Sequence, residues 1–253
     1  MNQRLVYPIL SGHITLYNNI TYLTAYRKPP QYSYSVNTQN QQEVGEAAEF
    51  VADILAHRKN ENDEAFFGRL NELLKKHLNV TIEVETFRNN TMLIEVVDAN
   101  GIKNMLPDVG AGIGQVLPIF IQAVLSGEKD SAAISIIEEP ESNLNAYSQA
   151  ELADLFITMA KLGKQSRFLL ETHSETLLLR LHRRILEGTL SPDDIAIYVV
   201  ERPKDSIKSI VKPVEITAQG IVDFPEDFFD ADYIEARAIS QLQHQTKPTN
   251  LTW

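Results

Sequence analysis

Apolar residues recur along the chain at two different spacings, and the spacing changes from helical to strand-like and back. Residues 43–58 and 63–77 carry apolar side chains at helical intervals, with Asn62 or Asp63 as a cap for the second segment. Residues 80–87 and 92–97 alternate between apolar and polar side chains, as strands do. The pattern predicts a helical pair followed by a small antiparallel β-meander, with a strand before them over residues 19–26.

Strand-like and helical segments alternate throughout the second half of the chain. In order they are a helix over 116–125, a strand over 134–137, a helix over 146–162, a strand over 167–170, a helix over 175–186 that ends at Gly188, and strands over 195–200 and 208–216. This alternation predicts an α/β fold, a mostly parallel sheet flanked by helices, with the helical and antiparallel β segment as an insertion near the N-terminus. The predicted domains are residues 1–106, a core over 107–229, and a polar tail over 230–253.

Two adjacent carboxylates follow the β-branched run at 134–137. Glu138 and Glu139 end this strand, and Pro140 stops its ladder. Ligands of open α/β sheets bind beyond the carboxyl ends of the strands. One acid there could hold a metal-bound water while the other polarises an attacking water. The competing interpretation is a strand that ends in solvated acidic residues.

His173 follows the next predicted strand, over residues 167–170. If the two strands are neighbours in the sheet, His173 reaches the same edge as Glu138 and Glu139. A neutral imidazole there could hydrogen-bond a phosphate oxygen or a lytic water. A structural histidine is the alternative.

Three spaced glycines precede the apolar helix over 116–125. Gly110, Gly112 and Gly114 let the backbone approach a ligand closely, and a helix N-terminus attracts anions. The segment would suit a phosphate, although many glycine turns merely begin a helix.

Composition narrows the classes of function. The 253 residues are 43% hydrophobic and carry a net charge of −11, which argues against a generally basic surface for nucleic acid but not against a local patch. The sequence contains no cysteine, so disulfides and cysteine metal sites are excluded. We expect a cytoplasmic protein, because no apolar stretch approaches the ~20 residues of a membrane span.

Two basic groups are interpreted as surface features. Arg180, His182, Arg183 and Arg184 fit a solvated helix face better than a phosphate contact. Arg27 and Lys28 fit a surface turn better than a place beside a nucleotide.

Three motifs in this order resemble those of a known family. They are Asp-Val-Gly-Ala-Gly-Ile-Gly-Gln-Val-Leu-Pro from residue 108, Ile-Ile-Glu-Glu-Pro-Glu-Ser-Asn-Leu from residue 136, and Glu-Thr-His-Ser-Glu from residue 171. The sequence resembles the C-terminal half of an ABC-type AAA ATPase, the class that includes OLD-family and SMC-like heads. The resemblance runs from about residue 22 to 229, and the segment 223–229 is similar to the end of a poorly characterised subgroup.

The resemblance implies a role for each matching residue. It implies that Glu138 is the Walker B carboxylate for magnesium, Glu139 the catalytic glutamate, and His173 the switch histidine. The signature loop that contacts a γ-phosphate on another subunit matches Gly110, Gly112, Gly114 and Gln115. Asn143 and Asn145 match the loop that crosses to the opposing subunit. The signature has no serine, since Ala111 and Gly114 stand where the family has a hydroxyl.

The Walker A pattern Gly-x-x-x-x-Gly-Lys-Ser/Thr does not occur in the sequence, and residues 162–166 have only a lysine after a glycine. The leading hypothesis is therefore a split ATPase: a Walker A-bearing partner chain completes a hetero-oligomer that uses ATP and magnesium. An effector protein, indirect contact with nucleic acid, and a role in genome maintenance or defence against phage are implied by the resemblance alone. The alternatives are a non-catalytic scaffold that acts through protein contacts and, third, a nuclease-like metal site that includes Asp108 or Glu141.

Overall fold

The computed structural model describes residues 20–37, 40–128, 133–162, 166–204, 206–222 and 239–241, which form an α/β fold. The chain divides into two compact units, Met1–Leu177 and Leu178–Trp253. The elements are β1 (Ile20–Leu23), β2 (Tyr34–Ser35), α1 (Val51–Asn60), α2 (Glu64–Leu78), β3 (Thr81–Phe87), β4 (Thr91–Val97), β5 (Lys103–Met105), α3 (Ala111–Glu128), β6 (Ala133–Glu138), α4 (Ala146–Leu162), β7 (Ser166–Glu171), α5 (Glu175–Leu186), β8 (Tyr198–Glu201), β9 (Ile210–Pro213), β10 (Ile216–Thr217) and β11 (Gly220–Ile221).

A parallel sheet of order β1-β6-β7 organises the first unit. The sequence predicted a parallel sheet that contains β6 and β7, but it did not predict β1 as a member. Its strands alternate between a buried and a more exposed face. On the buried face, Leu23 and Ile137 belong to the main hydrophobic cluster, together with residues of α3 and α4. The strand predicted over 19–26 is thus β1, the partner of the acid-tipped strand, although residue 19 itself lies outside the described residues.

The predicted helical pair and meander are present. Asp63 caps α2 by accepting a hydrogen bond from the Phe66 amide at 3.0 Å, and β3 pairs with β4 along its whole length. Short strands β2 and β5, which the pattern did not predict, also pair with β4.

The first helix was predicted eight residues too early. Residues 43–50 precede α1, and Ala48 has a positive φ of 62° that interrupts any helix there. The Val44 amide donates to the side-chain oxygen of Gln122 at 3.1 Å instead of to a helical carbonyl. Val44 and Ala48 are nevertheless buried, which explains why their spacing looked helical.

Helix α3 is longer than the predicted 116–125, because it begins at Ala111 within the glycine segment. Among the described residues it is long and apolar enough to cross a membrane by length and composition, but 67% of its most apolar stretch is buried inside the protein, as in a core helix.

The strand predicted over 195–200 does not extend the parallel sheet. It is β8, which pairs antiparallel with β9 after a turn at Arg202 and Pro203. Eight residues connect the two strands. A connection of this length can bring the chain back antiparallel to its own strand, whereas a parallel partner needs a longer crossover. Gly188, with φ of 70°, follows α5 as predicted.

Three predictions fall mainly outside the described residues: the segment 223–229, the polar tail over 230–253 apart from 239–241, and the glycine-lysine stretch at 163–165. The domain boundaries at 106 and 229 remain predictions.

Candidate functional site

The paired acids and His173 lie at one edge of the parallel sheet. Glu138 is in register with Glu171, and the Glu139 amide donates to the Glu171 carbonyl at 2.8 Å. Beyond the strands, the backbone amide of His173 donates to Oε1 of Glu141 at 2.7 Å. The two strand ends are therefore tied together through the acid turn. The sequence predicted that neighbouring strands would bring these residues to one edge, but it did not predict the contact between His173 and Glu141.

The carboxylate of Glu138 is held from β1 and from the residues that follow it. Its Oε1 accepts from the Tyr22 hydroxyl at 2.5 Å, and its Oε2 accepts from the Ala25 amide at 3.2 Å. The Tyr22 hydrogen bond, followed by the Ala25 amide, holds the pKa of Glu138 below its ordinary value. Glu138 is consequently ionised at neutral pH.

Glu139 has an unusual backbone conformation, with φ of 41°. A positive φ is unfavourable for a residue with a Cβ and often accompanies function. Ser142 stabilises the turn: its hydroxyl donates to Oε2 of Glu139 at 2.8 Å and its amide to the Glu139 carbonyl at 3.1 Å. The half-buried carboxylate is thus oriented at the tip of the strand.

His173 is fixed by its backbone, while its side chain is exposed and makes no hydrogen bond to any described residue. The next residue, Ser174, is buried; its hydroxyl accepts from the Leu177 amide in the first turn of α5 and donates to Gln149 at 2.7 Å. The imidazole is therefore presented at the edge by an anchored segment.

Arg27 was wrongly interpreted as part of a surface turn. Its side chain is buried, with 5% of the residue exposed, and its guanidinium donates to backbone carbonyls of Glu138 and Glu139. Burial lowers the pKa of Arg27, and the charges of nearby Glu141, Glu139 and Glu138 oppose this effect. The sequence did not indicate this role, because the polar residues and prolines beside Arg27 have the composition of a turn, which normally lies at the surface.

The glycine segment divides between a turn and a helix. Gly110 has φ of 87°, a conformation that favours glycine, whereas Gly112, Gly114 and Gln115 lie in the first turn of α3. A Cβ on Gly112 would come within 2.8 Å of the Asn143 carbonyl oxygen, and one on Gly114 within 2.7 Å of the Pro30 ring. The structure therefore brings the glycine segment and the loop at 142–145 into contact within one chain.

Asn143 and Asn145 are both exposed on that loop. Asn143 has φ of 64°, a left-handed conformation that asparagine tolerates, and the side-chain oxygen of Asn145 accepts from the Ser148 amide at the start of α4. Their described roles are thus a turn and a helix cap.

The donor set fits a role in holding magnesium only in part. Ionised Glu138 retains lone pairs beyond its two hydrogen bonds, as a carboxylate that binds a hydrated cation requires. Within the described ranges, no three His, Asp or Glu side chains are grouped so that they could hold a metal ion alone. Glu138 therefore fits one position in a coordination sphere whose remaining oxygens come from water, nucleotide or another chain.

These contacts define an α/β protein with an acidic site at the carboxyl edge of its parallel sheet. No family model and no curated protein matches the sequence. Among solved structures, the chain is similar to an SMC ATPase structure from work on ATP-driven dimerization and DNA-stimulated activation, at 13% identity over 74% of this chain and 94% of that chain, with a TM-score of 0.46.

Two further SMC head domains are similar to the chain. The Pyrococcus furiosus Smc head with an extended coiled coil, bound to the C-terminal domain of ScpA, matches at 11% identity over 79% of this chain and 44% of that chain, with a TM-score of 0.44. The SMC head domain from Thermotoga maritima matches at 15% identity over 72% and 54%, with a TM-score of 0.43. This chain thus spans less than two thirds of the length of these two structures, and likeness at this level assigns no residue role.

Proposed function

We propose that the chain is one subunit of a split ABC-type ATPase, which binds ATP and magnesium together with a partner chain that supplies the Walker A loop. The chain contributes Glu138, Glu139, His173, the signature segment at 110–115, and the loop at 142–145. The single observation that carries the proposal is the linked strand edge, where the Glu139 amide binds the Glu171 carbonyl and the His173 amide binds Glu141.

Each group at the edge has a chemical state that suits its proposed role. Glu138 is ionised and held on both oxygens, so it can bind a water of a hydrated cation without moving. Glu139 is oriented by Ser142 and can accept the proton of an attacking water. The exposed imidazole of His173 can hydrogen-bond a phosphate oxygen. Magnesium, when bound, would neutralise negative charge on the phosphates.

The signature segment offers backbone donors at the start of an 18-residue helix. The positive end of the helix dipole favours a phosphate there. The close approach of Gly112 to the Asn143 carbonyl supports this role, because it brings the loop that carries Asn143 next to the start of the helix. In the proposed function both segments face a nucleotide held by the opposing subunit.

The exposure of one face of the parallel sheet supports the proposal that a partner chain covers it. Ile20, Tyr22 and Leu169 project from that face with 39%, 37% and 60% of their surfaces exposed, and Ile134 and Ile136 between them are only half-buried. Parallel sheets are normally covered on both faces by helices. Because Glu138 ends this same row of side chains, a helix that covered the face would bring its own chain to the acid edge.

The wider assignment follows from the motif resemblance: a cytoplasmic hetero-oligomer with an effector protein, coupled to genome maintenance or phage defence, and with indirect contact to nucleic acid. The negative net charge of −11 is consistent with indirect rather than broad electrostatic binding.

The test is ATP turnover by the chain alone and by the chain co-expressed with a phosphate-loop protein encoded beside it. We expect turnover only in the pair, and Glu139→Gln should abolish turnover while it retains bound nucleotide. Leu169→Arg should prevent association, whereas Leu186→Arg, at a leucine of similar exposure on α5, should not. An inactive pair in which Glu139→Gln alters neither turnover nor nucleotide retention would refute the proposal.

The scaffold alternative is favoured by one specific observation. Gly112 and Gly114 each make a close contact within the chain, so packing alone accounts for them without any nucleotide. A pair that associates through the sheet face but binds no ATP would establish this alternative.

A further inference from the structure

The guanidinium of Arg27 contacts two segments that are distant in sequence. Its Nη2 donates to the Glu138 carbonyl at 2.5 Å and to the Glu139 carbonyl at 3.3 Å, while its Nη1 lies 3.5 Å from the Gln115 carbonyl in the first turn of α3. One side chain therefore joins the acid turn to the glycine helix.

Because the Arg27 side chain is buried, loss of these hydrogen bonds would be costly. A buried guanidinium is costly unless charges and hydrogen bonds compensate, and removal of one member of such a cluster leaves the others unpaired. Here Glu141, Glu139 and Glu138 supply the compensating charge, and Glu141 also binds the His173 amide. Within the part of the chain that the structure describes, two buried atoms of the cluster, Nε of Arg27 and Oε2 of Glu141, have no hydrogen-bond partner.

Arg27 contacts a segment of backbone that is strained at Glu139. Glu139 adopts φ of 41°, and a conformation of this kind persists only where surrounding contacts hold it in place. The Arg27 hydrogen bonds to the Glu138 and Glu139 carbonyls, which lie in the two peptide planes that flank the Cα of Glu139, are among those contacts.

We propose that Arg27 is a positioning residue that couples the signature segment to the acids: it fixes the turn at Glu138 and Glu139 relative to the first turn of α3. The proposal rests on the function proposed above. In that function the signature segment faces a nucleotide on the opposing subunit and the acids face the chain's own site. Arg27 then transmits movement at one nucleotide to the geometry at the other.

The test is hydrogen–deuterium exchange on the full chain for wild type, Arg27→Gln and Arg27→Lys. In Arg27→Gln, peptides covering 111–118 and 138–145 should both exchange roughly tenfold faster, since each loses hydrogen bonds to the guanidinium. Peptides of α2 and β4 should not change. Arg27→Lys keeps the charge but replaces the two terminal nitrogens of the guanidinium by one ammonium group, so it should give an intermediate effect in the same two segments. If Arg27→Gln does not fold, Arg27→Lys serves as the test variant.

Arg58→Gln is the matched control. Arg58 is a partly buried arginine of the same unit that binds Asp63 and Glu128 instead of the site. Its loss should accelerate exchange near those residues and leave 138–145 unchanged. Equal acceleration throughout the unit, acceleration in only one of the two segments, or none would overturn the coupling.

Turnover of the complex with the phosphate-loop chain separates the two proposals. If both hold, Arg27→Lys lowers kcat more than it raises KM. If the exchange result holds but no ATP is hydrolysed by the wild-type pair, the coupling stands and the proposed function fails.

Discussion

The hydroxyl of Tyr22 and the carboxylate of Glu138 form a hydrogen bond of 2.5 Å between neighbouring parallel strands, across 116 positions of sequence. Both side chains project on the sheet face that is partly exposed. The bond connects Tyr22, the aromatic residue of β1, to the first acid of the site, so the apolar face and the acidic edge form one continuous surface.

Removal of the Tyr22 hydroxyl should raise the pKa of Glu138. In the native chain that hydrogen bond is the largest cause of a pKa below the ordinary 4.5, so Tyr22→Phe should shift the carboxyl titration, followed by NMR, to higher pH. A carboxyl group whose pKa is lower in the folded chain than in the unfolded chain stabilises the fold at pH values above its unfolded pKa, and this stabilisation is lost as the pH falls. The variant should therefore lose less stability from Glu138 when the pH is lowered. Tyr26→Phe, at a tyrosine that is 91% exposed, is the control and should leave the titration unchanged.

A glycine at position 139 should stabilise the fold relative to alanine. Both Glu139→Gly and Glu139→Ala remove the contact with Ser142, but only glycine adopts φ of 41° without a steric penalty. We expect the free energy of unfolding of Glu139→Gly to exceed that of Glu139→Ala by about 1 kcal/mol in denaturant titrations. Equal values would show that position 139 is not strained.

Alanine at Gly112 should destabilise the protein by roughly 1–3 kcal/mol, because its Cβ would press on the Asn143 carbonyl oxygen at 2.8 Å. Gly68→Ala is a matched control within helix α2, where a Cβ meets nothing within 4 Å. Helix propensity predicts that this control gains about 0.5–1 kcal/mol. Thermal unfolding of both variants measures the difference, and a Gly112→Ala variant as stable as wild type would contradict the described packing.

His77 should make stability sensitive to acid. Burial is the main cause of its lowered pKa, which its contact with Glu151 only partly opposes. His77 therefore takes up a proton at higher pH in the unfolded chain than in the folded chain. The contribution of its neutral form to the free energy of unfolding is complete above about pH 6.5 and is lost as the pH falls toward the pKa of the folded state. We expect His77→Gln to flatten the stability–pH profile below neutrality by up to about 1.4 kcal/mol per pH unit.

Asn71→Ala provides the comparison for His77. Asn71 lies on the same helix and makes two hydrogen bonds to the Ile82 backbone but carries no ionisable group. Its loss should lower stability equally at every pH. A His77→Gln profile parallel to that of Asn71→Ala would rule out the linkage.

Local patterns were sufficient to predict most elements. Helix α4 begins and ends at the predicted residues, and Asp63 caps α2, because periodicity and capping are properties of neighbouring residues. The meeting of Glu139 with the segment of His173 was also predictable, since parallel neighbours end at one edge of a sheet.

Contacts between distant segments were not predictable in this way. Arg27 stands among turn residues, and only the pairing of β1 with β6 brings it under Glu138. The helical spacing at Val44 and Ala48 reflected burial against Gln122 and the core rather than helix. Strand β8 was assigned to the wrong sheet because a single strand pattern does not specify its partner.

The register of β1 against β6 also has a consequence for the order of folding. Thr21 and Ser135 hydrogen-bond across 114 residues, so the central sheet closes only after most of the first unit has been synthesised. Strands β3 and β4 are joined by a three-residue turn and have no such delay. Contacts between residues far apart in sequence form slowly. We therefore expect the meander to fold early and the edge of the parallel sheet that carries Glu138 and Glu139 to form last.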